Sequence, residues 1–221
     1  MARGTGTIVT VANLKGGCGK STIALNLACA LVEAKHDVHM VDADEQGTVS
    51  GALKGGGFPV SGEALLLKSI RGADSWAERV RELARAHDFL LIDCPPHLAA
   101  ATQAAIEVAD IVLVPVTPSL ADLTATANAL ELVVEAQKRR RGKPACLLVP
   151  SKVDRRTAAG QALSKMLKDF GESVAPDVRQ LTAFVESYWR GQWVGEYAPN
   201  SPAHDDMKAL ARRVTRAAKA A

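Results

Sequence analysis

Five short runs of β-branched and aliphatic residues, at 7–11, 38–41, 89–92, 111–116 and 146–149, alternate with longer stretches of helical periodicity. The runs lack the apolar-polar alternation of a strand with one wet face, so each is expected to be buried on both faces. Strands of that kind pair in parallel, and a parallel pair needs a long crossover between its members. The intervening segments supply it: helices are predicted at 20–34, 75–86, 99–109, 123–139 and 158–170, with a last one at 203–218. The expected fold class is α/β, a doubly wound, mainly parallel sheet with helices on both faces. With 221 residues, 48% hydrophobic and 23% charged, the chain can bury one sizeable core and reads as a single domain over 1–221. The segment 54–61, which contains Gly55-Gly56-Gly57, reads as a mobile surface loop.

Such sheets bind ligands outside the carboxyl ends of their strands, so the residues just after each run are the informative ones. After the first run comes Asn13-Leu14-Lys15-Gly16-Gly17-Cys18-Gly19-Lys20-Ser21-Thr22, and then an apolar helical pattern. A phosphate cradle needs glycines that let backbone N–H groups converge, a helix N-terminus, a lysine for the phosphates and a hydroxyl for Mg²⁺. Gly16, Gly17, Gly19, Lys20 and Ser21 supply all of these. The usual phosphate-loop pattern has a glycine where this chain has Leu14, and an additional lysine, Lys15, follows.

With that departure, Lys15-Gly16-Gly17-Cys18-Gly19-Lys20-Ser21-Thr22 resembles the deviant phosphate loop, KGGxGK[ST], of the ParA/MinD ATPases. Met40-Val41-Asp42-Ala43-Asp44-Glu45-Gln46-Gly47 is similar to that family's DxDPQ motif, and Leu91-Ile92-Asp93-Cys94-Pro95-Pro96 to its IDxPP motif. Pro115-Val116-Thr117-Pro118 and Tyr197-Ala198-Pro199-Asn200-Ser201-Pro202 extend the likeness over nearly the whole chain. The resemblance implies ATP and Mg²⁺ as cofactors, with Lys20 on the β and γ phosphates and the backbone of residues 17–22 around them. It further implies Ser21, Asp42 and Asp93 at the metal and Asp44 orienting the attacking water. Lys15 would reach a partner's nucleotide, which makes ATP the glue of a homodimer. Taken singly, an aspartate at a strand end could instead cap a helix or fix a loop, and for Asp42 that alternative stays open. Glu45 stands where the family has proline and adds a carboxylate beside Asp44. Cys18 and Cys94 lie on loops expected to approach each other; inert filling is the simpler reading and redox control the other. Ser151 and Lys152, after the fifth run, are the adenine candidates.

The net charge of +3, from 27 basic and 24 acidic residues, is too small to mark a nucleic-acid binder by itself. The basic residues are clustered, however, at 138–141 with Lys143, at Arg155-Arg156, and along the last helix at Lys208, Arg212, Arg213, Arg216 and Lys219. In that helix Met207, Leu210, Ala211 and Val214 can dock inward while the basic residues face out, a surface suited to phosphate backbones without base readout. By resemblance, the partners would be nonspecific double-stranded DNA and a ParB-like or cargo-specific adaptor protein, the latter stimulating slow hydrolysis. The same helix could be a membrane-targeting sequence like that of MinD, but its apolar face is mostly alanine. Phe184, Tyr188, Trp189, Trp193 and Tyr197 have spacings that fit one helix face, which favours core packing over a partner-docking surface.

Cys18, Cys29, Cys94 and Cys146 form no CxxC pair, so buried reduced thiols are expected rather than a zinc site or disulfides, and iron–sulfur chemistry lacks its setting. Two tyrosines are too few for the terminal cluster of a tyrosine autokinase. The first residues do not resemble a secretory leader, no run is long enough to span a bilayer, and no helix-turn-helix precedes the first strand. A cytoplasmic, nucleoid-associated protein is therefore expected.

Overall fold

A computed structural model of the chain describes residues 6–70, 72–97 and 99–220; the first five residues, which enter the reading of the leader, lie outside them. Seven strands form one sheet: β1 (Thr7–Val11), β2 (Val38–Asp42), β3 (Ser61–Ala64), β4 (Phe89–Asp93), β5 (Ile111–Val116), β6 (Ala145–Pro150) and β7 (Ser173–Val174). Their order is β3-β2-β4-β1-β5-β6-β7, and every pairing is parallel. Around the sheet lie α1 (Lys20–Glu33), α2 (Thr48–Lys54), α3 (Ala73–Ala86), α4 (Ala100–Val108), α5 (Leu120–Arg139), α6 (Ala158–Lys168), α7 (Thr182–Trp189), α8 (Val194–Tyr197) and α9 (Pro202–Ala218).

The two-residue period of the strands divides the core into two layers. Val9, Val11, Met40, Leu91, Leu113 and Leu147 face α1, α7, α8 and α9, while Ile8, Val41, Leu90, Ile92, Val112 and Leu148 face α3 to α6. This is the expected doubly wound arrangement. β1 sits between β4 and β5, with crossovers leaving in opposite directions, so the loops after β1, β4 and β5 open into one crevice. α9 closes the first layer by packing along α1, with Met207, Leu210, Ala211 and Val214 buried as their spacing requires.

Three expectations are corrected. Segment 54–61 is the surface connection from α2, which ends at Lys54, to β3, which starts at Ser61, but it is anchored rather than free, because Phe58 is buried. β3 and β7 were invisible to a hydrophobic search because Ser61-Gly62-Glu63-Ala64 is polar and β7 has only two residues. The aromatic segment is not one helix face, because the chain breaks at Gly191, whose φ of +67° ends α7 before α8 begins. Phe184 and Trp193 go to the core as expected, whereas Tyr188 and Trp189 are exposed.

The tightest approach in the corrected segment is at Gly57, where an added Cβ would lie 1.7 Å from the Gly191 carbonyl oxygen. Gly57→Ala is expected to destabilise the fold by about 2 kcal/mol or more in urea unfolding, because backbone rather than a flexible side chain must move. Gly51→Ala, inside α2 with nothing within 4 Å of the new methyl, should be neutral or stabilising by up to about 1 kcal/mol.

Candidate functional site

The loop between β1 and α1 is shaped by where its carbonyls go. Lys20 Nζ donates to the Lys15 carbonyl at 2.9 Å, Lys152 Nζ to that of Gly17 at 2.7 Å, and Ser151 Oγ to that of Cys18 at 2.8 Å. Gly17 and Gly19 turn the chain with φ of +78° and +95°, and a Cβ on Gly19 would press on Ser151 Oγ at 2.9 Å. Among the described residues, no protein oxygen accepts from the N–H groups of residues 16–22, and α1 begins within that run. Unclaimed N–H groups at a helix start, with Lys20 buried among them, make an anion cradle.

Sheet register brings the aspartates to this loop. Asp93 ends β4, lying opposite Val11 on one side and Asp42 on the other. Both of its carboxylate oxygens are buried without a partner of full hydrogen-bond geometry. Burial, together with the charges of Asp42 and Asp44, pushes the carboxyl up to about 7, although the Ser21 hydroxyl and Lys20 favour its ionised form. A buried, unsatisfied carboxylate beside a hydroxyl and a phosphate cradle fits a divalent cation held largely by water and phosphate. Accordingly, no group of three acidic, histidine or cysteine side chains makes a metal cage among the described residues. Asp42 is differently employed: its Oδ1 accepts from the Asp44 N–H at 3.1 Å and its Oδ2 from that of Ser50 at 2.7 Å. It holds the loop that presents Asp44, the open alternative noted for it above. Asp44 is half-buried and closes a turn through the Gln46 N–H at 3.0 Å. Glu45 points away into an ion pair with Lys68 at 2.7 Å.

This constellation of a two-lysine phosphate loop and strand-end aspartates is matched by the family model of the CobQ/CobB/MinD/ParA nucleotide-binding domain over residues 9–194. The chain belongs to this family. It is 34% identical over 179 residues to the maintenance of carboxysome distribution protein A of Halothiobacillus neapolitanus, covering 79% of each chain. To the chromosome-partitioning ATPase Soj of Thermus thermophilus it is 29% identical over 237 residues, covering 93% of this chain and 94% of Soj. The fold is that of a Cyanothece McdA variant in complex with ATP, with a TM-score of 0.77 at 18% identity, covering 98% and 97% of the two chains. The protein is thus a nucleotide-binding member of the ParA/MinD ATPase family.

Seen as a ParA/MinD site, the geometry adds what the motifs had not revealed. Lys15 Nζ is paired with the carboxylate of Asp122 and lies 3.3 Å from Ser119 Oγ, both at the start of α5. The hydrophobic pattern starts this helix at 123 and so misses both; a serine followed three residues later by an acid is a helix-start pattern that could have flagged them, though not as a lysine's partners. Beside the loop opens a cleft of about 320 Å³, floored by Gly19, Thr22 and Ile23 and walled by Leu181, Phe184, Tyr188 and Trp189. Ser151 and Lys152 are at its rim, so the adenine candidates both line the cleft and tie down the loop. Tyr188 Oη donates to the Thr48 carbonyl at 3.4 Å, joining this wall to the helix after Asp44.

The basic clusters separate by what they already bind. Arg139 pairs with Glu107 and Glu135, Arg140 donates to the Ala109 carbonyl, Arg155 pairs with Asp177 and Arg156 with Asp154. On α9 Lys208 pairs with Asp205 at 3.0 Å, while Arg212, Arg213, Arg216 and the C-cap residue Lys219 close no ion pair among the described residues. Lys208, Arg212, Arg216 and Lys219 line a groove of about 560 Å³ against α1; Arg213 is not part of it. All four cysteines are free and buried: Cys18 donates to the Lys15 carbonyl at 3.4 Å, and burial pushes the Cys94 thiol up. No helix among the described residues is long and apolar enough to cross a membrane.

The raised Asp93 carboxyl has a stability consequence. Its folded value near 7 exceeds the ordinary 3.8, so its contribution is fully present below about pH 4 and is lost as pH rises through 7. In nucleotide-free protein, Asp93→Asn is expected to raise the melting temperature at pH 8 by about 5 °C, with a smaller gain at pH 5. Equal shifts at both pH values would show that the carboxylate is not strained.

Proposed function

We propose that this chain is a ParA-type ATPase that forms a sandwich dimer on ATP, binds nonspecific duplex DNA in that state and positions a cargo through an adaptor. The observation that carries this reading is the pair of lysines on one phosphate loop: Lys20 buried inside the cradle, and Lys15 partly exposed and turned out of it. A single lysine suffices to neutralise phosphates in cis, so the outward lysine is suited to a second subunit's nucleotide. Mg²⁺, when bound at Ser21 and Asp93, would neutralise charge developing on the phosphates. The chain's own groups do the rest. The N–H groups of residues 16–22 orient the phosphates, and Asp44, half-exposed on the loop that Asp42 fixes, orients the attacking water. The aromatic cleft takes the purine base, with Tyr188 and Trp189 as its outer wall.

DNA is assigned to α9. Arg139, Arg140, Arg155 and Arg156 of the other clusters are engaged by acids or a carbonyl, whereas the α9 groove gathers Arg212, Arg216 and Lys219 beside the paired Lys208, with Glu33 as the acid in its lining. A dimer doubles that surface, and phosphate binding of this kind is steeply salt-dependent. Cytoplasmic, nucleoid-associated localisation follows, with cargo carried by a ParB-like or cargo-specific adaptor that stimulates hydrolysis. The kind of cargo in the relatives' names, a carboxysome or a chromosome, sets the two classes to try first. The MinD-like membrane alternative loses its means of insertion, since the apolar face of α9 is already buried against α1.

Nonspecific duplex binding should require ATP, fall steeply with salt and be abolished by Lys15→Gln. Arg212→Glu with Arg216→Glu should weaken it about tenfold or more while the ATP dimer persists. Binding unchanged across nucleotide states would remove the DNA role. The base cleft has its own reporter, since Trp76 and Trp193 are buried and Trp189 is 86% exposed. Nucleotide should change tryptophan emission in the wild type and not in Trp189→Phe; a change that survives the substitution places the base elsewhere.

A further inference from the structure

We infer that Ser151 and Lys152 are positioning residues for the phosphates rather than contacts for the base: together they set two successive peptides of the loop so that the Cys18 and Gly19 N–H groups face the anion. This assignment rests on the phosphate cradle described above at residues 16–22.

The side chains and the carbonyls match one to one. Lys152 Nζ donates to the Gly17 carbonyl at 2.7 Å, and Ser151 Oγ to the Cys18 carbonyl at 2.8 Å. In a planar trans peptide the C=O and the following N–H point in opposite directions. Holding the Gly17 carbonyl toward the end of β6 therefore turns the Cys18 N–H away from it, and holding the Cys18 carbonyl does the same for the Gly19 N–H. No protein oxygen among the described residues accepts from either N–H. Each of the two peptides has a left-handed glycine as a neighbour, Gly17 or Gly19, and such a peptide turns over at little cost unless its oxygen is held. The ammonium on the Gly17 oxygen also polarises that peptide, which strengthens its nitrogen as a donor.

The backbone after β6 is shaped to present both groups. Successive side chains of a strand point to opposite faces, so an extended Ser151-Lys152 would bring only one of them to the loop. Lys152 instead has a φ of +52°. Lys35 and Arg141 share that left-handed conformation just past α1 and α5, where helices commonly end in it, but Lys152 follows a strand. Its neighbours are pinned: the Ser151 N–H donates to the Val116 carbonyl at 2.8 Å and the Val153 N–H to the Val178 carbonyl at 3.1 Å. A strained residue between anchored neighbours is held for what its side chain does. Ser151, for its part, has one proton to donate and spends it on the loop.

The test titrates ADP, adenosine and inorganic tripolyphosphate against a fluorescent ADP analogue, in wild type, Ser151→Ala, Lys152→Met, Lys152→Arg and Lys152→Gly. Positioning predicts that Ser151→Ala and Lys152→Met each weaken ADP and tripolyphosphate about fivefold, that adenosine stays within about twofold, and that Lys152→Arg recovers most of the loss. Ser151→Ala changes no charge, so its loss is not a bulk electrostatic effect. Lys152→Gly separates binding from stability: it frees the left-handed backbone and should melt about 3 °C above Lys152→Met while binding ADP as weakly. ADP and adenosine weakened together, with tripolyphosphate unchanged, would place the two side chains on the base and overturn the inference. ADP affinity that is unchanged in both Ser151→Ala and Lys152→Met, or that follows the melting temperature across the variants, overturns it as well. A wild type that binds ADP no better than adenosine refutes the phosphate cradle instead, whatever the variants do.

Discussion

The hydrogen-bond register between β4 and its two neighbours determines the site. Asp93 is paired across the ladder with Val11 and with Asp42, the last residues of β1 and β2. Because parallel strands all end on the same side, that register delivers the phosphate loop, the Asp44 turn and the Asp93 carboxylate to one crevice without any further device. A shift by one residue would turn each of these side chains into the opposite core layer. The strands hold register because both faces are buried, with Val9 and Val11 committed to one layer and Ile8 to the other.

Concentrating three aspartates and two lysines at one sheet edge is unfavourable unless each has a defined partner. The structure divides them. Asp42 accepts from two backbone N–H groups, Asp44 keeps contact with solvent, and Lys20 rests on the Lys15 carbonyl. Of these five, Asp93 is the one left buried without a partner of full hydrogen-bond geometry, and burial with the neighbouring carboxylates raises its carboxyl. Lys15 is held at the crevice edge by a residue from the neighbouring strand's turn. Ser151 and Lys152 shape the same loop from β6, so five strands, β1, β2, β4, β5 and β6, contribute to the crevice.

The C-terminal region follows the same division at the surface. α9 commits its apolar residues to α1 and leaves cations along a groove, while Arg139 at the end of α5 and Arg155 and Arg156 after β6 are drawn into pairs with nearby acids. Clusters that look alike in sequence thus differ in what they have left to offer a ligand. The aromatic residues behave similarly: Gly191 interrupts their helix, sending Phe184 and Trp193 inward and leaving Trp189 at the cleft.

The five central strands, six of the helices, the α/β architecture with helices on both faces of the sheet and the phosphate loop were legible because they depend on local patterns: hydrophobic period, glycine placement and a lysine-hydroxyl pair at a strand end. Those signals act over a few residues, and the sequence alone determines them. β3 and β7 escaped because edge strands need little apolar surface, and the Gly57–Gly191 approach because both partners carry no side chain. The different hydrogen bonding of Asp42 and Asp93, the different ion pairing of the three basic clusters, and the pairing of Lys15 with Asp122 were decided only by tertiary structure. Each depends on which groups far apart in the chain become neighbours, as with Lys15 and Asp122 or Asp42 and Asp93, and an ionisable side chain's role is set by its partners and its burial rather than by its type.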